Sequence, residues 1–163
     1  MKYFILIILS IIFSASCFKN SQNTVSYEDS YYEDIIQVDS PNSFIPLKVM
    51  AAPPKNAKNS RYFIINKNIA ESSFDYMNNS YIYRASKDSN ALLYFYKNYT
   101  NNSKKNFIIE DKYKINANYY EFDFNEKFIL WEINDIYYLL YTKAKDDKDL
   151  TNLSSSYIKS VMK

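Results

Sequence analysis

Short segments of alternating apolar and polar residues occupy the chain from residue 61 to residue 142. Turns that carry Asn or Asp separate these segments, and Asn replaces glycine as the residue that adopts positive φ. Strands at this spacing predict an antiparallel β-meander of about six to seven strands. The contributing segments are RYFIIN (61–66), IAESSFDY (69–76), SYIYRAS (80–86), NFIIED (106–111), KYKI (112–115), NYYEFDF (118–124), KFILWEI (127–133) and the apolar run from Ile136.

Two segments have a different period. SNALLYFYKNY (89–99) fits either a helix or a strand. Near the C-terminus, five apolar residues follow the spacing of an amphipathic helix, namely Leu150, Leu153, Tyr157, Ile158 and Val161. Asp147 is the expected cap of this helix, and Asp149 suits its first turn. A meander with a final amphipathic helix packed on the sheet predicts the α+β class.

The stretch from Ile35 to Lys55 is expected to be mostly an extended connection. Asp39 or Ser40 could cap a short helix with Pro41 at its first position. Pro46 and the pair Pro53-Pro54 should then stop any longer element.

The only tryptophan lies in a predicted hairpin, FILWEINDIYYLLYT (128–142). A two-residue turn at Asn134-Asp135 pairs Ile133 with Ile136, Trp131 with Tyr138 and Ile129 with Leu140 on one face. The other face carries Glu132 with Tyr137, Leu130 with Leu139 and Phe128 with Tyr141. Both faces are largely apolar, which is typical of a central strand pair covered on both sides. The structural core is therefore expected to include Trp131, Tyr138, Ile129 and Leu140.

The N-terminus, MKYFILIILSIIFSASC, has the form of an export signal, with Lys2 before an apolar run from Tyr3. The apolar part would span about 21 Å as a helix, less than the ~30 Å hydrocarbon core of a bilayer. Ser14-Ala15-Ser16 precedes Cys17, the single cysteine of the chain. This arrangement resembles the lipobox of bacterial lipoproteins, in which the cysteine is acylated, with palmitate among the chains, and becomes the mature N-terminus. An ordinary secretory signal would cut the same bond and leave Cys17 without lipid.

Three regions follow from these features. Residues 1–16 are the expected lipoprotein-type signal peptide, and residues 17–34 are the lipidated cysteine with a polar, acidic tether. As a flexible coil, such a tether spans on the order of 20–25 Å. Residues 35–163 form a single α+β domain, which is as much as this length allows.

The order of motifs resembles an exported bacterial domain known only as a domain of unknown function. A proline-bearing entry at Pro53-Pro54 precedes "YFIINKNIAESSFDYMNNSYIYRAS", and a tryptophan, an Asn-bearing turn, a tyrosine and a final amphipathic helix follow. The resemblance covers about residues 35–162. It implies a domain found in lipoproteins and at the C-termini of anti-sigma-factor-type membrane proteins, with no catalytic residues. Asp135 stands where that family usually has glycine.

Composition excludes several classes of function. The chain contains no histidine, no glycine and one cysteine. It therefore has no imidazole base, no glycine-rich phosphate loop, no nucleophile elbow, no internal disulfide and no thiolate metal site. The formal charge is only +2, which predicts no strong field toward nucleic acid or an anionic membrane. No cofactor and no metal are expected.

A few groups offer alternative chemistries. The carboxylates of Glu121, Asp123, Glu132 and Asp135 could form an acid–base pair, but alternation places Glu121 and Asp123 on one strand face, typical of solvated residues. DDKD (146–149) could bind calcium, although a helix start explains it better. The 18 tyrosines could form a stacking platform for sugars or peptides.

We therefore expect a non-enzymatic, lipid-anchored binding or structural module of the bacterial envelope, in the cell membrane or the outer membrane. Its partners would be the membrane, through Cys17, and an envelope protein or glycan, but not nucleic acid. The alternative is an extracytoplasmic sensory or regulatory domain, which the resemblance to anti-sigma-factor C-terminal domains implies.

Overall fold

The computed structural model describes residues 34–94, 103–110, 115–122, 125–144 and 147–162, with backbone alone for 103–110 and 147. Residues 1–33, with the expected signal peptide, Cys17 and most of the tether, lie outside the described residues. The eight strands are β1 Ile35–Val38, β2 Lys58–Ile65, β3 Ile69–Tyr76, β4 Asn79–Ser86, β5 Ser103–Glu110, β6 Ile115–Glu121, β7 Lys127–Ile133 and β8 Ile136–Thr142. The helices are a 3-10 helix Pro41–Leu47, α1 Ser89–Leu93 and α2 Asp147–Val161.

The strands form one antiparallel sheet in the order β1-β2-β3-β4-β8-β7-β6-β5. Each half, β1 to β4 and β5 to β8, is a four-stranded meander of sequential neighbours. The halves join where β4 pairs with β8, from Tyr81 opposite Thr142 to Ser86 opposite Tyr137. An antiparallel sheet with α2 packed on it confirms the predicted α+β class.

The sheet has one strand more than the expected six to seven. The extra strand is β1, in a stretch assigned from the sequence to extended connection. Ile35 to Val38 instead pair with Tyr62 to Ile65 and form one edge of the sheet. The expectation was wrong because Ile35, Ile36 and Val38 provide almost no apolar–polar alternation by which an edge strand is recognised.

Two further boundaries differ from the sequence pattern. Two of the three segments expected between residues 106 and 124 correspond to β5 and β6, with the bounds Ser103–Glu110 and Ile115–Glu121. Residues 112–114 of the third segment, KYKI, lie outside the described residues, and its last residue, Ile115, begins β6. The ambiguous segment 89–99 starts as the helix α1, capped by the Asp88 side chain, which accepts a hydrogen bond from the Asn90 backbone N–H at 2.9 Å. Residues 95–99 lie outside the described part.

Ser40 occupies the cap position of the 3-10 helix, with Pro41 at its start, in agreement with one of the two predicted caps. Pro46 does not stop this helix but lies inside its last turn. A 3-10 helix this short tolerates the proline because few of its backbone N–H groups need an intrahelical partner. Phe44 points inward, where its ring meets that of Tyr62 at 6.3 Å.

Helix α2 buries most of the face that the sequence assigned to it. Leu150, Leu153, Tyr157 and Ile158 are buried, but Val161 is 40% exposed because it lies in the last turn of the helix. Asp147 is the first helical residue rather than the cap, and the preceding position lies outside the described residues. Asp149 accepts a hydrogen bond from the Asn79 side chain at 3.3 Å and so joins α2 to the start of β4.

Apolar side chains fill both faces of the sheet. The larger core lies under α2 and the 3-10 helix and contains Trp131, Tyr83 and Phe44. The second core lies on the opposite face, where Ala91 and Leu92 of α1 join residues such as Phe128 and Leu139. Burial on both sides explains why β7 and β8 read as nearly continuous apolar runs.

Candidate functional site

The hairpin of β7 and β8 has the register that its Asn134-Asp135 turn predicts. Trp131 lies opposite Tyr138, and Ile129 lies opposite Leu140. The turn residues have φ values of 53° and 59°. This left-handed geometry is that of a type I′ turn, which Asn and Asp tolerate better than most residues.

Trp131 lies in the core and not on a ligand surface. Its side chain is 2% exposed, as is that of Tyr138, and Ile129 and Leu140 are fully buried. The rings of Trp131 and Tyr138 are 5.6 Å apart and inclined at 14°. Such offset contacts between parallel aromatic rings stabilise a strand pair beyond the area they bury.

Two more tyrosines extend this contact into an aromatic cluster, defined here as Tyr83, Trp131, Tyr138 and Tyr157. Tyr83 of β4 lies 6.1 Å from Trp131 and 6.1 Å from Tyr138 between ring centroids. Tyr157 of α2 stacks on Tyr83 at 4.1 Å and 20°. The cluster therefore ties α2 to the β4–β8 junction, where the two halves of the sheet meet.

Burial makes the tyrosine hydroxyl groups of this cluster weaker acids than an exposed tyrosine. The pKa of Tyr83 is raised well above its ordinary value of 10.0, first by burial and then by the nearby Tyr157 and Tyr138. Burial, with a smaller effect from Tyr76, also raises the pKa of Tyr157. The buried Tyr157 hydroxyl has no hydrogen-bond partner in the described part of the chain. These properties suit a packed core and offer no general base at neutral pH.

A buried ion pair occupies the opposite face of the sheet. Arg84 of β4 and Glu71 of β3 are cross-strand partners, and Arg84 Nε donates to Glu71 Oε2 at 2.7 Å. The residues are 1% and 0% exposed. Sequence analysis missed this pair, although alternation places Glu71 and Arg84 on the same face as Ile69 and Ile82. Two residues of opposite charge on a strand face that otherwise carries apolar residues could have revealed the pair in the sequence.

Three of the four carboxylates considered for catalysis are described, and they lie at separate positions on β6, on β7 and in the turn after β7. Glu121 ends β6, half-buried, opposite Lys127 of β7. Glu132 and Asp135 are exposed, on a strand and in a turn respectively. Asp123 lies outside the described residues, so the proposed Glu121–Asp123 arrangement is not described.

A different carboxylate, Asp75, is held by neighbours on β2 and β4. Its side chain accepts hydrogen bonds from Asn59 Nδ2 at 2.6 Å and from Ser80 Oγ at 2.7 Å. These two hydrogen bonds, with a smaller contribution from Arg61, lower the pKa of the Asp75 carboxyl. A carboxylate stabilised in its charged form is a poor general base, so this contact joins strands and offers no acid–base pair.

The tyrosines and the DDKD segment, the remaining candidates from the sequence, have structural roles wherever the structure describes them. Many tyrosines are core residues: Tyr81, Tyr83, Tyr119, Tyr138, Tyr141 and Tyr157 are buried. Of DDKD, Asp147 to Asp149 belong to the first turn of α2. Within the described ranges, no three acidic or cysteine residues are grouped as metal ligands, and no helix is both long and apolar enough to cross a membrane.

Comparisons with known proteins identify no relative of this chain. No family model, no curated protein and no solved structure matches the chain.

Proposed function

We propose that this chain is a lipid-anchored, non-enzymatic binding or structural module of the bacterial cell envelope. The observation that carries the proposal is the position of the only cysteine, Cys17, directly after a short apolar run and Ser14-Ala15-Ser16. A sulfur atom at that point becomes the mature N-terminus if the chain is processed as a lipoprotein. Of the expected tether, residues 17–34, all but the last residue would then precede the first described residue, Asp34.

The non-enzymatic part of the proposal draws on composition and on the architecture of the sheet. Histidine and glycine are missing from the whole sequence, which removes the most common base and the usual anion-binding loops. Aromatic and aliphatic side chains fill both faces of the sheet around Trp131 and Phe128. In the part of the chain that the structure describes, contacts with a partner would then form on the outer surface of the domain.

The intact mass of protein extracted from bacterial membranes tests the anchor. We expect the mass of residues 17–163 increased by a glyceryl group and acyl chains on Cys17. The Cys17→Ala variant should lack these groups and should no longer partition with the membrane after processing. A secreted product with a free Cys17 thiol would contradict the anchor and leave ordinary secretion.

Activity assays test the absence of catalysis. Purified protein should give no turnover on peptidoglycan or on ester and phosphoester substrates. If turnover occurs and both Glu121→Gln and Asp123→Asn abolish it without unfolding the protein, the chain is an envelope hydrolase and this part of the proposal fails.

A further inference from the structure

The strand β1 forms one edge of the sheet and is exposed to solvent. Among the described strands, β2 is its only neighbour. Ile35 is 42% and Ile36 is 46% exposed, and Gln37 is exposed as well. An exposed edge strand offers unpaired backbone N–H and C=O groups to another chain. The free side of β1 is therefore a place where a further strand can add to the sheet.

The hydrogen-bond pattern between β1 and β2 determines which backbone groups point away from the sheet. The Asn66 N–H donates to the Asp34 carbonyl at 2.8 Å, so these two residues form a hydrogen-bonded pair. Hydrogen-bonded and non-hydrogen-bonded pairs alternate along an antiparallel ladder, so Ile36 also turns its backbone groups toward β2. Ile35 and Gln37 turn theirs outward. The free edge thus presents two donors and two acceptors from these two residues.

The sequence of β1 lacks the residues that usually prevent the pairing of sheet edges between chains. Natural edge strands carry charged side chains, especially lysine, or proline, or are very short. The strand at the other edge, β5, contains Lys104, Lys105 and Glu110, whereas β1 reads IIQV, without charge or proline. Of these protections β1 has only its short length, which limits the extent of pairing without blocking it.

We propose that β1 pairs antiparallel with β1 of a second copy of this chain, about a two-fold axis at Ile36. In this register Ile35 lies opposite Gln37 of the second copy, and Gln37 lies opposite Ile35 of the second copy. The two outward donors and two outward acceptors of each copy then satisfy one another. A two-fold interface requires a surface that complements itself, and the free edge of β1 meets this requirement.

The side chains of β1 fit the same axis. Ile36 lies opposite Ile64 of β2, so the pairing would extend a row of isoleucines across the junction into the second copy. Ile36 occupies a non-hydrogen-bonded position toward the second copy, where paired Cα atoms are about 4.5 Å apart and side chains lie close together. On the other face, Ile35 would pack beside the aliphatic part of Gln37. Both exposed isoleucines are thereby covered, which favours a second copy over an unrelated peptide.

Charge and length restrict this pairing to the strand itself. In the sequence Glu33 and Asp34 precede β1 and Asp39 follows it, so a longer antiparallel ladder would bring like charges together. Asp34 already has a counter-ion in Lys67, at 3.8 Å. Two strands of this length bury much less than the roughly 1,200 Å² typical of a stable interface. We therefore expect the pair to be weak in dilute solution.

The proposed anchor supplies the concentration that a weak pair needs, so this inference rests on the proposed function. The expected tether, residues 17–34, joins the domain immediately before β1. A fully extended chain of this length reaches only about 60 Å. Copies anchored in one membrane share a layer of this depth, and their effective concentration exceeds that of the same protein in bulk.

Disulfide formation across the two-fold axis tests the pairing in the full protein in its membrane. In lipidated protein the Cys17 sulfur is blocked, so Ile36→Cys provides the only free thiol. We expect rapid formation of a disulfide-linked dimer on addition of copper phenanthroline, because the paired Cα atoms lie within disulfide range. Trypsin cuts after Lys19 and Lys48, so the mass of the linked peptide distinguishes a link at position 36 from one at Cys17.

Three variants serve as controls. Met77→Cys, in a turn and 64% exposed, measures links that form by random collision. Gln37→Cys tests the register, because the two positions would be roughly 7–8 Å apart on a diagonal, beyond the usual disulfide range. Gln37→Pro added to Ile36→Cys removes an outward N–H and no hydrogen bond to β2. Each should reduce the linked fraction to the level of the Met77→Cys control.

The outcomes separate the pairing from the anchor. If Ile36→Cys links no better than Met77→Cys while Cys17 carries its acyl mass, the pairing is overturned and the anchor stands. Equal linking of Gln37→Cys and Ile36→Cys overturns the two-fold register, and a link that survives Gln37→Pro overturns the backbone pairing. A chain without acyl groups on Cys17 contradicts the proposed function and removes the concentration on which the pair depends.

Discussion

Arg84 and Glu71 face each other across β4 and β3, joined by a 2.7 Å hydrogen bond and closed off from solvent. A charge pair taken out of water is costly to form and more costly to break. The pair favours a single register of the two strands. A slip of one residue would turn one of the two side chains to the other face of the sheet and leave the remaining charge buried without its partner. Arg84 and Glu71 thus specify how the β3–β4 hairpin aligns.

Breaking this pair should strongly destabilise the domain. Glu71→Ala leaves the Arg84 guanidinium buried without its carboxylate and should cost about 3–5 kcal/mol of unfolding free energy. The double variant Glu71→Leu with Arg84→Met should recover most of that loss, because both charges of the pair are removed together. Denaturant titrations of the single and double variants measure both values. Equal stability of the two variants would contradict this role.

A partly exposed ion pair provides a control. Lys143 Nζ lies 2.6 Å from Glu126 Oε1, with the Lys143 side chain 57% and the Glu126 side chain 15% exposed. Solvent screens this contact, so Glu126→Gln should change the unfolding free energy by less than about 1 kcal/mol.

Truncation of Trp131 should remove much of the stability of the domain. Trp131→Ala empties a site between Tyr83 and Tyr138 and should cost roughly 3–5 kcal/mol. Tyr137→Ala, a half-buried residue opposite Glu132, should cost less. Denaturant midpoints compare the two variants, and the wild-type emission maximum should be that of a shielded indole. An exposed-type emission with an unchanged midpoint would move Trp131 to a binding surface.

Glycine should stabilise the β3–β4 turn. Met77 has a φ of 48° and a side chain that is 64% exposed, so it bears the cost of the left-handed conformation without packing in return. Met77→Gly should raise the unfolding free energy by about 0.5–1 kcal/mol after the greater entropy of unfolded glycine is subtracted. Met77→Ala keeps the steric cost and should show no gain in the same thermal or denaturant assay. A loss of stability in the glycine variant would show that Met77 makes a contact worth more than its strain.

Removal of the Tyr157 hydroxyl should change how the stability of the domain depends on pH in alkali. Burial raises the folded-state pKa of Tyr157, so the unfolded chain ionises first, near the ordinary value of 10.0. The contribution of Tyr157 to the free energy of unfolding is therefore fully present below pH 10. It falls as the pH rises above 10, by up to about 1.4 kcal/mol per pH unit for one tyrosine. Tyr157→Phe should weaken this decline.

The same variant should be neutral, or stabilising by up to about 1 kcal/mol, at pH 7 because the hydroxyl has no hydrogen-bond partner. Unfolding free energies from pH 7 to pH 11 test both statements, with Tyr137→Phe on the opposite face as control. A clear loss at pH 7 in Tyr157→Phe would reveal a hydrogen bond to this hydroxyl.

Local patterns predicted the local parts of this fold. The bounds of β3 and β7, the register of the Trp131 hairpin and the inward face of α2 follow from alternation, one turn and helical spacing. The pairing of β4 with β8 left no such trace, because the alternation within a strand does not specify which distant strand pairs with it. The strand β1 was missed because it lacks alternation. The position of Cys17 remains a sequence prediction.

The pairing of β4 with β8 also has a kinetic consequence. Ser86 pairs with Tyr137, and Tyr81 pairs with Thr142, so the paired residues are separated by 51 to 61 positions in the sequence. In a chain synthesised from its N-terminus, β1 to β4 can form while the β4 edge still lacks its partner. That edge presents Ile82 and Tyr83 with open backbone donors and acceptors, a template for pairing between chains. The order of the strands therefore predicts slow folding, and it requires that the β4 edge be protected until residue 142 emerges.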